Sequence, residues 1–184
     1  MTRIRQATLD DVQGISQLLA KYYFGRLSDA QKARGFISVE FTIAELEHMV
    51  CSPGMVVAVA EDGAIAAVAG SSPVPSEGGD GIFQKIDSLV GQVEYNGQLL
   101  SAYRLCLYGP VCVDEAFGGQ GLSAKLWQGF KEMMRGRYDV GLPFVSLSNP
   151  ASLKAHRDKL GMTQVCEFDV EDRSYALLAF DIPD

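Results

Sequence analysis

The sequence predicts an α/β layered domain built around one mixed sheet. Three observations carry that expectation. Strand-type and helix-type hydrophobic periods alternate in the order β-α-α-β-β-α-β-α-β-α-β-β. The stretch MVVAVAEDGAIAAVAG reads as a hairpin of two apolar strands around Asp62-Gly63. A long apolar strand, Tyr103 to Val113, runs into a glycine-rich turn and then a helical pattern. With 184 residues, no internal repeat and no low-complexity tract, residues 1–184 read as one domain with a sizeable core.

The elements follow in order. TRIRQA around Ile4 is a short first strand. Thr8 and Asp11 make a T-x-x-D helix start, a variant of the capping box. The helix after it carries Val12, Ile15, Leu18, Leu19 and Tyr22 on one face. Gly25 to Val39 is irregular. Thr42 and Glu45 form a second capping box, opening a helix through Ile43, Leu46 and Met49. After the hairpin, Ser71 to Gly81 reads as a loop with two prolines and three glycines. Ile82 to Val90 is a short helix and Asn96-Gly97 a turn. Gly109-Pro110 lies within the long strand and predicts a bulge or an opening, because proline cannot donate to a ladder. Gln120 to Arg135 is a helix and Pro143 to Ser148 a buried-type strand. A helix starts at Asn149 and stops at Leu160-Gly161. Two last strands cover Thr163 to Val170 and Ser174 to Ile182.

Composition excludes some functions. The net charge of −7 argues against a phosphate-backbone surface, so no nucleic-acid partner is expected. It is compatible with an amine substrate. Met1 to Asp10 has no apolar signal-peptide core, and no apolar run approaches the ~20 residues of a spanning helix. Cys51, Cys106, Cys112 and Cys166 show no CxxC pairing and no nearby histidine at ligand spacing. They read as reduced core cysteines of a cytoplasmic protein, with no metal site.

The stretch VCVDEAFGGQGLSAKL, Val111 to Leu126, is the most informative. A strand ends, glycines turn the chain, and a helix begins. Free N–H groups at a helix start and the helix dipole favour an anion there. Glycines allow a close backbone approach and positive φ. By itself the loop is equally a phosphate cradle and a plain strand-to-helix connection. Gly119, Gly121 and Ala124 also satisfy G-x-G-x-x-G/A, the dinucleotide pattern. The context disagrees with that match. Asp114 to Gly118 intervene after the strand, and the next strand, PFVSLS, runs into Asn149 rather than an acidic residue.

The same stretch resembles the coenzyme A loop of the GCN5-related N-acetyltransferases (the GNAT superfamily), in which a V-x-V strand leads into a Q/R-x-x-G-x-G/A turn. Gly121 fits the central glycine, with Gly119 and Gln120 before it. A second stretch, Ser148-Asn149-Pro150-Ala151-Ser152 through His156 to Leu160-Gly161-Met162, resembles the later motif of that family. IRQATLDDVQGISQLL resembles its first strand and helix. The resemblance covers most of the chain outside Gly25 to Val39 and Ser71 to Ser101.

That resemblance implies a mixed, mostly antiparallel sheet of about seven strands flanked by helices. It implies acetyl transfer from acetyl-CoA, as co-substrate, to an amine of a small molecule or peptide, and it is compatible with a homodimer. Backbone groups of Val111, Cys112 and Val113 would hold the pantetheine arm. Gly118, Gly119, Gln120, Gly121, Leu122, Ser123 and Ala124 would form the pyrophosphate loop, with Asn149 and Ser152 contacting the cofactor from the second motif. The sequence departs from the pattern in three places. Gly118 stands where Arg or Gln is usual, Ser123 where a second Gly or Ala is usual, and His156 where many members carry a tyrosine that protonates the leaving thiolate.

For chemistry, transfer needs a base to take the proton of the amine and a donor for the thiolate. His156 is the candidate donor, since imidazole titrates near neutrality. Base candidates are Glu40, in the region that lines the acceptor site in related proteins, and Asp114, Glu115 and Tyr108. His48 reads as a surface or lid residue. Cys106 and Cys112 lack a local partner that would make a nucleophile. Trp127 and Phe130 read as core, and Phe36, Phe41, Phe83 and Tyr103 could shape an acceptor pocket. Two other function classes stand beside the transferase: a catalytically silent CoA-binding domain and an NAD(P)-binding oxidoreductase.

Overall fold

A computed structural model describes residues 2–74 and 81–183. In chain order the elements are β1 Arg3–Gln6, α1 Val12–Lys21, α2 Asp29–Lys32, α3 Ile43–Cys51, β2 Val56–Val59, β3 Ile65–Pro73 and α4 Ile82–Leu89. They continue with β4 Glu94–Tyr95, β5 Gln98–Leu99, β6 Leu105–Val113, α5 Leu122–Met134, β7 Val140–Leu142, β8 Phe144–Ser146, α6 Pro150–Lys154, β9 Thr163–Val170 and β10 Arg173–Asp181. The hydrogen-bonded strand order is β1-β2-β3-β6-β7-β10-β8, with β9 on β10. Only β6 and β7 pair in parallel among the registers described; β1/β2, β2/β3 and the three pairings of β10 are antiparallel. This is the expected mixed, mostly antiparallel sheet with helices, in eight strands rather than about seven. It is not the parallel doubly wound sheet that the dinucleotide pattern requires.

The chain divides into two compact units, Met1–Ser71 with Gly109–Met134 and Ser72–Tyr108 with Arg135–Asp184. The division falls within β6. The core of the first unit gathers the predicted face of α1 (Val12, Ile15, Leu18, Leu19) with Leu46, Met49 and Val50 of α3 and Val57, Val68 and Cys112 of the strands. Both capping boxes form. The Asp11 carboxylate accepts from the Thr8 N–H at 2.8 Å and pairs with Arg5 at 2.6 Å. Glu45 accepts from the Thr42 N–H at 2.7 Å. The Arg5 guanidinium, with Thr8, outweighs burial and draws Asp11 down to about 2. α5 packs on β1 and β2. A Cβ on its Gly129 would stand 3.2 Å from Val56 and 3.3 Å from Ile4, so glycine sets that close approach.

The core of the second unit joins Ile86 of α4, Leu105 and Leu107 of β6, Val140 and Leu142 of β7, Phe168 of β9, and Tyr175, Leu177 and Ala179 of β10. The β6–β7 ladder is three residues long, ending at Leu107/Leu142.

Several expectations need correction. The Ser71–Gly81 loop begins later, because β3 runs to Pro73; residues 75–80 lie outside the described residues. The expected Pro143–Ser148 strand is shorter, Phe144–Ser146, and pairs with β10, while a separate strand before Pro143, Val140–Leu142, pairs with β6 and β10. A proline has no N–H to continue a ladder. Cys51 is exposed and Cys166 half-buried, so only Cys106 and Cys112 are core cysteines.

Candidate functional site

The glycine loop belongs to the first unit. β6 ends at Val113, and the Asp114 N–H donates to the Ala66 carbonyl of β3 at 2.9 Å. Cys112 is buried between the half-buried Val111 and Val113, the alternation of a strand with one face on the core. Burial pushes the Cys112 thiol up to about 12, so it stays protonated. A single 3-10 turn, Glu115–Phe117, follows, its start capped by the Asp114 carboxylate on the Ala116 N–H at 3.0 Å.

Then come the glycines. Gly118 has an ordinary φ of −58°. Gly119 (φ +75°) and Gly121 (φ +68°) are left-handed, and a Cβ on either would meet nothing within 4 Å. These two positions are glycine for their backbone angles and not for packing. Gln120 is exposed. The buried Leu122 fastens the start of α5, while Ser123 is half-buried and Ala124 exposed. The Gly121 carbonyl accepts the Lys125 N–H at 3.2 Å. The N–H groups of the first helical turn have no intrahelical acceptor, and Gly121 has no side chain to supply one. The result is an exposed, electropositive helix start at the end of a strand, suited to an anion.

The acidic candidates of this unit are both engaged. Asp114 meets the Lys21 ammonium at 3.0 Å and accepts from the Tyr22 hydroxyl at 3.3 Å. Burial would raise its carboxyl, but the Ala116 N–H, Lys21 and Tyr22 together hold it below the usual carboxylate range. A carboxylate held down in this way is a weak base. Glu40 pairs with Arg26 at 2.7 Å, and both side chains are more than half exposed. The pair sits at a cavity of about 310 Å³ whose walls include Leu19, Ala20, Tyr23 and Phe41. Of the four aromatic pocket candidates, only Phe41 lines this cavity. Phe36 lies tilted against Phe24, Phe83 meets Phe144 edge-on, and Tyr103 donates to the Tyr95 carbonyl. The Arg26 partner and the Lys21–Tyr22 contacts carry no local sequence signal; Tyr22 and Asp114 are 92 positions apart.

Asn149, Ser152 and His156 belong to the second unit. Asn149 is buried, and its side chain accepts the Ser152 N–H at 3.2 Å, capping the start of α6. His156 is 8% exposed, in the π-type turn Ala155–Lys159 after α6. Its Nδ1 lies 2.8 Å from the Ser152 carbonyl. A carbonyl only accepts, so Nδ1 carries the proton and Nε2 of the neutral ring holds a lone pair. Burial lowers its pKa, against the Ser152 contact, so the neutral form dominates near pH 7. The expected donor thus has no proton to give at Nε2 in this state. Its ring meets Tyr108 edge-on at 6.0 Å. Tyr108 is fully buried, and burial pushes its phenol upward, so it remains protonated and unsuited to act as a base. Burial likewise moves Cys106 up to about 12. His48 is exposed on α3, and Trp127 is half-buried with Lys131 stacked 3.7 Å over its ring. Among the described residues no cluster of three or more His, Cys, Asp or Glu converges on a metal-sized site, and no helix is long and apolar enough to cross a membrane.

No protein-family model matches the sequence, and no curated protein matches it at a significant level. Solved structures match the fold. An N-acetyltransferase from Staphylococcus aureus Mu50 aligns over 99% of this chain and 99% of its own, with a TM-score of 0.63 at 17% identity. A GNAT-superfamily phosphinothricin acetyltransferase from Sinorhizobium meliloti, solved with acetyl-CoA, aligns over 98% and 88%, with a TM-score of 0.64 at 15% identity. A GNAT-family N-acetyltransferase from Escherichia coli, solved with CoA, aligns over 98% and 81%, with a TM-score of 0.56 at 18% identity. The chain has the GNAT fold.

Proposed function

We propose that this protein is an acetyl-CoA-dependent N-acetyltransferase acting on an amine of a small molecule or peptide. The observation that carries the reading is the start of α5 behind two left-handed glycines, Gly119 and Gly121, whose positions need no glycine for packing and of which Gly121, next to the helix, has no side chain to cap it. In a GNAT fold such a loop suits the pyrophosphate of acetyl-CoA. The solved neighbours that hold acetyl-CoA or CoA support that ligand.

In this reading residues 118–124 receive the pyrophosphate, and backbone groups of Val111, Cys112 and Val113 align the pantetheine arm. The amine enters the cavity at Glu40. Acetyl-CoA supplies the activated acetyl group when bound. Glu40, exposed and beside Arg26, is the base that takes the ammonium proton, in preference to Asp114, whose carboxylate is held by Lys21 and Tyr22. His156 takes part through Nε2 only after that nitrogen gains a proton, which its burial opposes.

One observation favours a catalytically silent CoA-binding domain: Glu40, Asp114 and the Nδ1 of His156 all already have partners. Two measurements decide. Calorimetric titration with acetyl-CoA, with NADH as control, should give micromolar binding of acetyl-CoA alone; its absence would overturn both readings. CoA release over a panel of amines and peptides then separates the transferase from the silent domain.

A further inference from the structure

Asp114 was a candidate base on sequence, yet its surroundings describe a different task. Four contacts converge on the short turn that delivers the chain to the glycine loop. The Tyr22 hydroxyl accepts the Glu115 N–H at 2.8 Å and donates to Asp114 Oδ1 at 3.3 Å. The same oxygen accepts the Ala116 N–H at 3.0 Å. The Lys21 ammonium lies 3.0 and 3.1 Å from the two Asp114 oxygens. Within the turn, the Phe117 N–H donates to the Asp114 carbonyl at 2.9 Å and the Gly118 N–H to the Glu115 carbonyl at 3.0 Å. Residues 114–118 are therefore tied at their head to the last turn of α1 and the residue after it, and to β3 through the Asp114 N–H. The left-handed residues Gly119 and Gly121 follow immediately, and without a Cβ they have wide conformational freedom of their own.

A second feature gives the arrangement a consequence. Leu19, Ala20 and Tyr23, the residues flanking Lys21 and Tyr22, line the 310 Å³ cavity that holds Glu40 at its wall. One stretch, residues 19–23, thus faces the cavity with some side chains and grips the head of the loop with others.

We propose that Lys21, Tyr22 and Asp114 are positioning residues for the cofactor loop: without touching the cofactor, they fix the turn from which Gly119–Leu122 present their N–H groups. The inference rests on the acetyl-CoA reading above. Each contact is of the modest surface kind, but all act on one turn, so their loss should appear in the geometry of the loop more than in global stability.

The test is calorimetric titration of acetyl-CoA into the full-length wild type and into Tyr22→Phe, Lys21→Met and Lys21→Arg, with thermal unfolding of each. Tyr22→Phe keeps the half-buried ring packed against the core and removes only the hydroxyl. Lys21→Met keeps the aliphatic stem. Expected are affinities weaker by about 3- to 30-fold for Tyr22→Phe and Lys21→Met, recovery to within about twofold for Lys21→Arg, and faster amide exchange at residues 115–118 in the two weakened variants. Wild-type affinity in both Tyr22→Phe and Lys21→Met overturns the inference and leaves the acetyl-CoA reading standing. Weakened binding that Lys21→Arg does not recover, or that follows the unfolding midpoint instead of the local exchange, overturns it too. If the wild type itself binds no acetyl-CoA, the acetyltransferase reading fails and this inference falls with it.

Discussion

Two strand-to-helix connections in this molecule solve the same problem in opposite ways. At α6 the helix start is closed by its own side chains. Asn149 is buried and accepts the Ser152 N–H, and Pro150 removes one donor from the first turn. At α5 the residue before the helix has no side chain with which to close the start. Gly121 occupies the capping place with no side chain, and the loop before it is exposed. A helix start that caps itself needs no guest. One that has glycine in the capping place forgoes a side-chain cap at a cost of only a few tenths of a kcal/mol and leaves its N–H groups to water or to a ligand, which is the physical case for a pyrophosphate at α5 and a structural role at Asn149.

Substitutions can break the contrast. Gly121→Asp gives the open start a carboxylate of its own. Aspartate tolerates the left-handed angles better than most residues, so the fold should persist, while the added charge repels the pyrophosphate and competes for the N–H groups. Acetyl-CoA affinity should drop by about 30-fold or more, read by calorimetry. Unchanged affinity would mean that the open helix start is not the anion site.

Asn149→Ala strips the closed start of its cap. Its main effect should fall on folding, about 1–2 kcal/mol lost in denaturant unfolding, with acetyl-CoA affinity changed less than about threefold. A large loss of affinity with little loss of stability would reverse the assignment and make Asn149 chiefly a cofactor contact.

Gly118→Arg is the smallest change and sharpens the picture. Gly118 has an ordinary φ of −58°, and a Cβ there would stand 3.2 Å from the Glu115 carbonyl oxygen, a contact that a few tenths of an ångström relieve. A guanidinium beside the loop should strengthen acetyl-CoA binding by about 3- to 10-fold, and more so at low salt. Weaker binding would show that the turn at 118 tolerates no side chain.

The same contrast shows why part of the site was legible in the sequence and part was not. Gly119 and Gly121 announce positive φ because few other residue types adopt it easily, and the apolar run before them announces a strand. Asn149-Pro150 reads as a helix start in the same local way. The partners that define the acidic candidates were hidden. Asp114 looks like a free loop carboxylate in sequence, yet Lys21 and Tyr22, some 90 residues away, occupy it. His156 looks like a proton donor at its reference pKa, yet the Ser152 carbonyl fixes its tautomer and burial keeps it neutral.

By itself the sequence determined what short-range physics controls. The 3.6-residue face of α1 and both capping boxes are legible from neighbouring residues, and so are the hairpin at Gly63, the turn at Asn96-Gly97 and the glycine turn before α5. Only the tertiary structure decided the rest. Pro143 separates β7, which pairs with both β6 and β10, from β8, which pairs with β10, and Glu40 meets Arg26 at the wall of a cavity. Asp114, one of the candidate bases, meets Lys21 and Tyr22 from the other end of the first unit's sequence. Backbone angles, caps and periodicity depend on residues within a turn or two of each other. The charge state and role of an ionisable side chain depend on what long-range packing sets beside it.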